Sequence, residues 1–253
     1  MAQLNVRFFA ELNDFLPPER QHQRFMALAV PRSSIKDAIE ALGVPHPEVA
    51  LILVNAAPVD FSYLVQPDDQ IDVYPRAAAL AVNPDALLLP PPEPRFILDV
   101  HLGRLAEYLR LLGFDTLYRN DYDDPELAQI AGREERILLT RDLGLLKRSL
   151  VLYGAYVRAT DPQQQVIEVL GRFDFFDKIA PFRRCSRCNG LLEAVAKEDI
   201  LAQLQPATQR QHDEFQRCQG CGQIYWKGSH FGRMQQFIAR IQQHDPRATP
   251  PGG

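Results

Sequence analysis

Two cysteine pairs, Cys185-Ser-Arg-Cys188 and Cys218-Gln-Gly-Cys221, are the only cysteines in the chain. CxxC knuckles 29 residues apart (positions 189–217) match the ligand pattern of a zinc ribbon. A CxxC turn lets two thiolates converge on one tetrahedral ion without backbone strain. Asn189-Gly190 and Gly222 follow the knuckles, where the chain must turn sharply around the metal. Four sulfurs fill all four positions and leave none for water, so the zinc reads as structural.

Disulfides are the competing use of four cysteines, with three possible connectivities. The start Met-Ala-Gln-Leu-Asn has no basic region followed by an apolar core, so no signal peptide is expected. No run of 18 apolar residues is present, so no membrane span is expected. Both point to a cytoplasmic chain, where paired CxxC motifs hold zinc. A redox CxxC needs only one pair, beside a βαβ unit.

Charge is divided unevenly. Residues 1–79 carry 6 basic and 10 acidic groups, residues 80–180 carry 12 and 16, and residues 181–253 carry 10 and 6. An acidic middle beside a basic cysteine region fits carboxylates for metal and cations for a polyanion, although +4 over the last stretch is also ordinary surface charge.

The segment Pro75–Arg95 holds six prolines and no periodic pattern, so it reads as a linker in partly polyproline form. The Pro/Gly-rich end, His244–Gly253, reads as disordered. The resulting division is 1–76, a linker at 77–94, a central unit at 95–180, a cysteine unit at 181–240 and a tail at 241–253.

The N-terminal unit reads β-β-α-β-β. Leu4, Val6 and Phe8 alternate, Phe25–Val30 is a second run, and Leu51–Val54 and Ile71–Tyr74 are further strands. Ser33 is the expected cap of a helix carrying Ile35, Ala38, Ile39 and Leu42, stopped by Gly43. The order and the Pro67–Asp69 turn resemble the ubiquitin-like β-grasp fold, in particular the ThiS/MoaD sulfur carriers. Those carriers end in Gly-Gly directly after the last strand; here Tyr74-Pro75-Arg76 follows instead, and Gly252-Gly253 lies far away. A binding or scaffolding role, with a possible protein partner, is the expectation for this unit.

The central unit alternates strand and helix. Phe96–Val100 contains Asp99. Leu102, Leu105, Ala106, Leu109 and Leu112 form an amphipathic helix stopped by Gly113. Thr116–Tyr118, Ile137–Thr140 and Ala155–Ala159 are strands, and Asp124-Pro125 and Asp161-Pro162 are cap-plus-proline helix starts. Repeated βα units imply a parallel sheet covered on both faces, hence an α/β fold class.

Asp99, Asp142 and Asp161 fall at or just beyond strand C-termini, the side of an open parallel sheet where ligands bind. Converging carboxylates need a cation, and hard oxygen ligands suit Mg²⁺ or Mn²⁺. Asp161 and Asp124 also serve as plain N-caps, and Asp121 and Asp123 as solvated loop residues. Asp99 sits within an apolar run, where a charge needs a partner.

FILDVHLGRLAEYLRLLGFDT, RILLTRD and the CxxC module with CNG and YWKGSHF resemble the Mut-seven C-terminal ribonuclease family over about residues 95–240. The resemblance implies a PIN-like nuclease domain with flanking helices at 95–180, a zinc ribbon at 181–240, and in front of them a ubiquitin-like α+β domain. It implies a catalytic set of Asp99, Glu126 (with Asp124 in reserve), Thr140, Asp142 and Asp161, with Asp99, Asp142 and Asp161 as Mg/Mn ligands and Cys185, Cys188, Cys218 and Cys221 as zinc ligands. RNA is the implied partner. Arg104, Arg141, Lys147, Arg148, Arg183, Arg184, Arg187 and Lys227 are candidate phosphate contacts, each also readable as solvated surface. Trp226, beside Tyr225, is a candidate base-stacking surface, and one of the two rings is expected to close the small core beneath the zinc. His230 reads as polar surface or an RNA contact. The alternatives are a non-catalytic RNA- or ribosome-binding adaptor and a phosphoryl-transfer site, the latter lacking an obvious nucleophile set.

Overall fold

The computed structural model describes residues 1–228 and 231–247; His230 and Gly252-Gly253 lie outside them. In chain order the elements are β1 (Ala2–Phe8), β2 (Phe25–Ala29), α1 (Ile35–Ala41), β3 (Leu51–Val54), β4 (Ala57–Val59), β5 (Gln70–Tyr74) and α2 (Arg76–Val82). Next come β6 (Arg95–Leu98), α3 (Gly103–Leu111), β7 (Asp115–Leu117), α4 (Asp124–Glu134), β8 (Ile137–Thr140), α5 (Leu143–Leu146), β9 (Gly154–Tyr156) and α6 (Pro162–Phe173). The last are β10 (Leu192–Val195), α7 (Lys197–Ile200), α8 (Pro206–Gln211), β11 (Phe215–Cys218), β12 (Ile224–Trp226) and α9 (Phe231–Gln242). The mixed α/β class is as expected. A five-stranded N-terminal sheet runs β2-β1-β5-β3-β4, a four-stranded sheet runs β7-β6-β8-β9 with parallel ladders β6–β7 and β8–β9, and a three-stranded sheet runs β10-β11-β12. The chain forms two compact units, Met1–Glu93 with Asp123–Tyr156, and Pro94–Tyr122 with Val157 onward.

In the first unit, the alternation of β1 buries Ala2, Leu4, Val6 and Phe8. β1 runs parallel to β5 and antiparallel to β2. Helix α1 lays Ile35, Ala38 and Ile39 inward. Its cap is Ser34, not Ser33: the Ser34 hydroxyl accepts the Asp37 N–H at 3.1 Å. Gly43 ends it at φ +106, as expected. The expected polyproline linker is corrected at its start. Arg76–Val82 is helical because Pro75 sits at the N-cap and an alanine-rich run follows. Its buried Ala79 packs with Leu51 and Tyr74.

The N-terminal portion also bonds residues 147–156 within this unit. Buried His46 places one ring nitrogen 2.6 Å from Glu40 Oε1 and the other 2.9 Å from the Val151 carbonyl. Glu48, 6% exposed, accepts the Tyr156 N–H of β9 at 2.7 Å. Lys147 Nζ donates to the Glu40 carbonyl at 2.8 Å.

In the second unit, β6 pairs with β7, and Phe96, Phe114 and Phe175 form an aromatic core with centroids 5.7–6.5 Å apart. Burying such a ring stabilises by roughly 1.5–3 kcal/mol. The last carbonyls of α3 are satisfied from outside: Ala180 N–H bonds Leu112 O and Phe182 N–H bonds Leu111 O. Gly113, at φ +96, stops α3; a Cβ there would lie 2.0 Å from the Ala180 carbonyl oxygen. The cysteine region contains more helix than the sequence reading gave it. Helix α9 runs through Gln242, past the point where a tail was expected to begin, because Phe237, Ile238 and Ile241 form a buried stripe. Phe237 stacks on Tyr108 of α3 at 4.5 Å.

Candidate functional site

The four cysteines converge, and their ligand atoms all lie within 4.8 Å of one another. Cys185 Sγ is 3.7 Å from Cys221 Sγ, and Cys188 Sγ is 3.4 Å from Cys218 Sγ. A tetrahedron with Zn–S arms of about 2.3 Å has S···S edges near 3.8 Å, so the sulfurs fit such an ion. The turns are those the sequence predicts. Asn189 adopts φ +71 and Gly222 φ +73. A Cβ on Gly190 would meet Cys218 Sγ at 2.8 Å, so glycine alone leaves room for the sulfur. The Gly220 and Cys221 amides approach Cys218 Sγ at 3.3 and 3.5 Å.

Tyr225 is the ring that closes the cluster, its hydroxyl 3.0 Å from Cys185 Sγ. Trp226 turns outward, 39% exposed, with its ring 6.4 Å from that of Phe215. Burial pushes the Cys185 thiol up, but hydrogen bonds from Tyr225 and from the Cys188 and Arg187 amides outweigh it and bring the pKa down to about 7. Burial drives Cys188 the other way, to about 12.

The first knuckle is stitched to the β6–β7 ladder. Asn189 Oδ1 accepts the Thr116 N–H at 3.0 Å, and its amide donates to Asp115 Oδ1 at 2.8 Å. Arg184 pairs with Asp115 at 3.3 Å and donates to the Asn189 carbonyl. Arg110, buried in α3, donates to the carbonyls of Thr116, Ser186 and Arg187. Sequence reading missed Arg110; its one signal was a cation on the otherwise apolar face of an amphipathic helix.

The candidate acidic residues fall where the strands end. Asp99 directly follows β6 and is 7% exposed. In the other unit, Thr140 closes β8, and its Oγ1 accepts the Asp142 N–H at 2.9 Å. Asp142 Oδ1 takes the Gly144 and Leu145 amides at 2.6 and 3.2 Å, capping α5. Asp161 Oδ1 likewise takes the Gln163 and Gln164 amides, each at 3.0 Å, capping α6. In both residues Oδ2 has no hydrogen bond among the described residues, so the capping role consumes one oxygen and leaves the other open. Behind Asp161, the Glu168 carboxylate holds the Arg158 and Ala159 amides at 2.9 Å each.

The acidic run before and within α4 sorts itself. Asp121 forms a two-bond pair with Arg119, which lowers its pKa. The cap of α4 is Asp123, not Asp124: its carboxylate accepts the Glu126 N–H at 2.8 Å, which places Asp124 and Pro125 in the first turn. Asp124 faces Arg148 at 3.8 Å. Glu126 is half-buried at the third position of α4.

Several candidate phosphate contacts already have protein partners. Arg104 pairs with Glu107 at 2.6 Å, Lys147 bonds Glu40 O, and Lys227 pairs with Glu214. Arg141, Arg183 and Arg187 are exposed.

Fold and cysteine cluster together define an α/β protein built to hold a metal ion such as zinc. Residues 94–238 match the family model described as Mut7-C RNAse domain, and residues 1–81 match Mut7-C ubiquitin. The first match covers more than half of the chain, which belongs to the Mut7-C RNAse-domain family and carries a ubiquitin-like domain in front. The family description puts it in the nuclease class of enzymes. No curated protein and no solved structure matched. Among the described residues no helix is long and apolar enough to cross a membrane.

Proposed function

We propose that the chain is a metal-dependent ribonuclease of the PIN-like kind, hydrolysing RNA phosphodiester bonds in the cytoplasm. The observation that carries this reading is the Thr140–Asp142 pair: a buried hydroxyl fixes the backbone of an aspartate just past a parallel strand, and one carboxylate oxygen of that aspartate remains open. Asp161 repeats the capping bonds and the open oxygen, without the hydroxyl, at the start of α6. Open, fixed carboxylate oxygens are hard donors suited to Mg²⁺ or Mn²⁺. Such an ion, when bound, supplies positive charge against the developing charge of an in-line displacement and makes water easier to deprotonate.

The residues divide the work. Asp99 and Asp142 hold the cation, and Asp161 and Glu126 orient the attacking water and take up its proton. Thr140 keeps Asp142 in place. Arg141 steers the backbone phosphate. Water oxygen bonds to phosphorus as the bond to the leaving sugar oxygen breaks, and that oxygen takes up a proton from solvent. The zinc cluster supports RNA binding, with exposed Arg183, Arg187 and Trp226 as contacts.

Labelled RNA incubated with Mn²⁺ or Mg²⁺ tests the reading. Wild type is expected to cleave and the Asp99→Asn, Asp142→Asn double variant to be silent. Cleavage persisting in that variant overturns it, and RNA binding without cleavage by wild type replaces it with the adaptor reading.

A further inference from the structure

Arg110 is 4% exposed, and its hydrogen bonds go to three neutral carbonyls: Thr116 O at 2.9 Å, Arg187 O at 3.1 Å and Ser186 O at 3.2 Å. A buried guanidinium without a counter-charge is costly. The nearby carboxylates are engaged elsewhere: Glu107 pairs with Arg104, and Asp115 takes Arg184 and Asn189. The remaining source of negative charge is the cysteine cluster once it holds a metal ion. Burial lowers the Arg110 pKa, and Cys188 and Cys185 are the foremost groups pushing it back up.

The path between guanidinium and sulfur runs through the backbone of the first knuckle. Arg110 grips the carbonyls of Ser186 and Arg187. Those two carbonyls lie between Cys185 and Cys188, so the guanidinium sits against the backbone that carries both sulfurs. A cation on the oxygen end of a peptide polarises the N–H at its other end, here the N–H groups of Arg187 and Cys188 that flank the sulfurs. A divalent ion with four thiolates carries two net negative charges.

We propose that Arg110 is the built-in counter-charge of the metal-loaded cysteine cluster, acting through the two knuckle peptides, and that it makes retention of the metal depend on the seating of the knuckle against α3 and β7. The proposal rests on the zinc reading of the cluster. Loading supplies the charge that balances Arg110, and Arg110 in turn holds the knuckle and the ion in place.

The test is the rate at which the zinc-loaded full-length chain gives up its metal to an excess of a chromogenic chelator, with folding checked by circular dichroism. Arg110→Met, similar in length and uncharged, is expected to release zinc about tenfold faster or more, the scale of losing an outer-shell partner of a metal site. Arg110→Lys is expected to recover most of that loss. Asn189→Gly, which cuts the stitch to β7 and leaves the charge, is expected to release less than Arg110→Met does. Wild-type release from Arg110→Met, or a Lys variant as leaky as the Met variant, overturns the proposal. If Arg110→Met does not fold, Arg110→Gln decides, and wild-type release from it overturns the proposal equally. A wild type that takes up no zinc on reconstitution removes the zinc reading itself, and the proposal with it.

Discussion

The side-chain carbonyl of Asn189 accepts the backbone N–H of Thr116 at 3.0 Å, joining a cysteine knuckle to the strand β7. Both residues are buried, so the bond cannot be exchanged for water. Asn189→Ala strands the Thr116 N–H and removes the bond to Asp115. The expected cost is about 1–3 kcal/mol. Asn189→Gly suits the backbone at φ +71 better. It is expected to cost less than alanine, and the difference between the two in urea unfolding isolates the conformational part.

Glu48 ties the ubiquitin-like portion to β9 through the Tyr156 N–H. Glu48→Ala leaves a donor on that strand without its partner, with an expected loss of about 1–3 kcal/mol. Hydrogen exchange gives the sharper readout. The Tyr156 amide is expected to exchange faster in the variant, while amides in the middle of β1 keep their protection. Unchanged protection at Tyr156 would mean that the bond contributes nothing in solution.

Thr140 positions Asp142 without being assigned to the metal. Thr140→Val preserves the side-chain shape and removes the acceptor for the Asp142 N–H. Cleavage by this variant is expected to fall about tenfold and to recover in part at higher Mn²⁺ concentration. Asp142→Asn is expected to fall on the order of 100-fold or more, the scale of removing one electrostatic stabiliser, and not to recover. Equal losses in the two variants would place Thr140 in direct contact with the reacting groups.

Metal retention depends on pH with a definite sign. Without metal, Cys188 keeps its proton through neutrality, its pKa pushed up to about 12, while Cys185 titrates at about 7. Loading must expel these protons, so apparent zinc affinity rises with pH and falls on acidification, as protonation of Cys185 adds to the competition. Competition titrations on either side of neutrality are expected to show weaker zinc binding on the acid side.

Much of this was legible from residue types and spacing. The β1 alternation, the Gly43 and Gly113 stops and the convergence of four cysteines all follow from short-range rules. The failures are one-residue ambiguities and long-range contacts. Ser33 and Ser34 are adjacent, as are Asp123 and Asp124, and only the local dihedral angles decide which caps its helix. Helix α2 hid in a proline-rich stretch because its own seven residues contain none. Lys147 reads as a phosphate contact or solvated surface and Arg110 goes unread, since their carbonyl partners on Glu40 and on the knuckle peptides lie 107 and 76 or more residues away. The structure adds that capping a helix and offering an oxygen outward are compatible in Asp142 and Asp161.

Helix α2 has one last consequence. Where a sulfur-carrying relative offers a loose, outstretched thread, this chain leaves its fifth strand through Pro75 and winds at once into a coil whose Ala79 is pinned against Leu51 and Tyr74. Any partner that follows the backbone out of β5 meets seven helical residues before it meets extended chain.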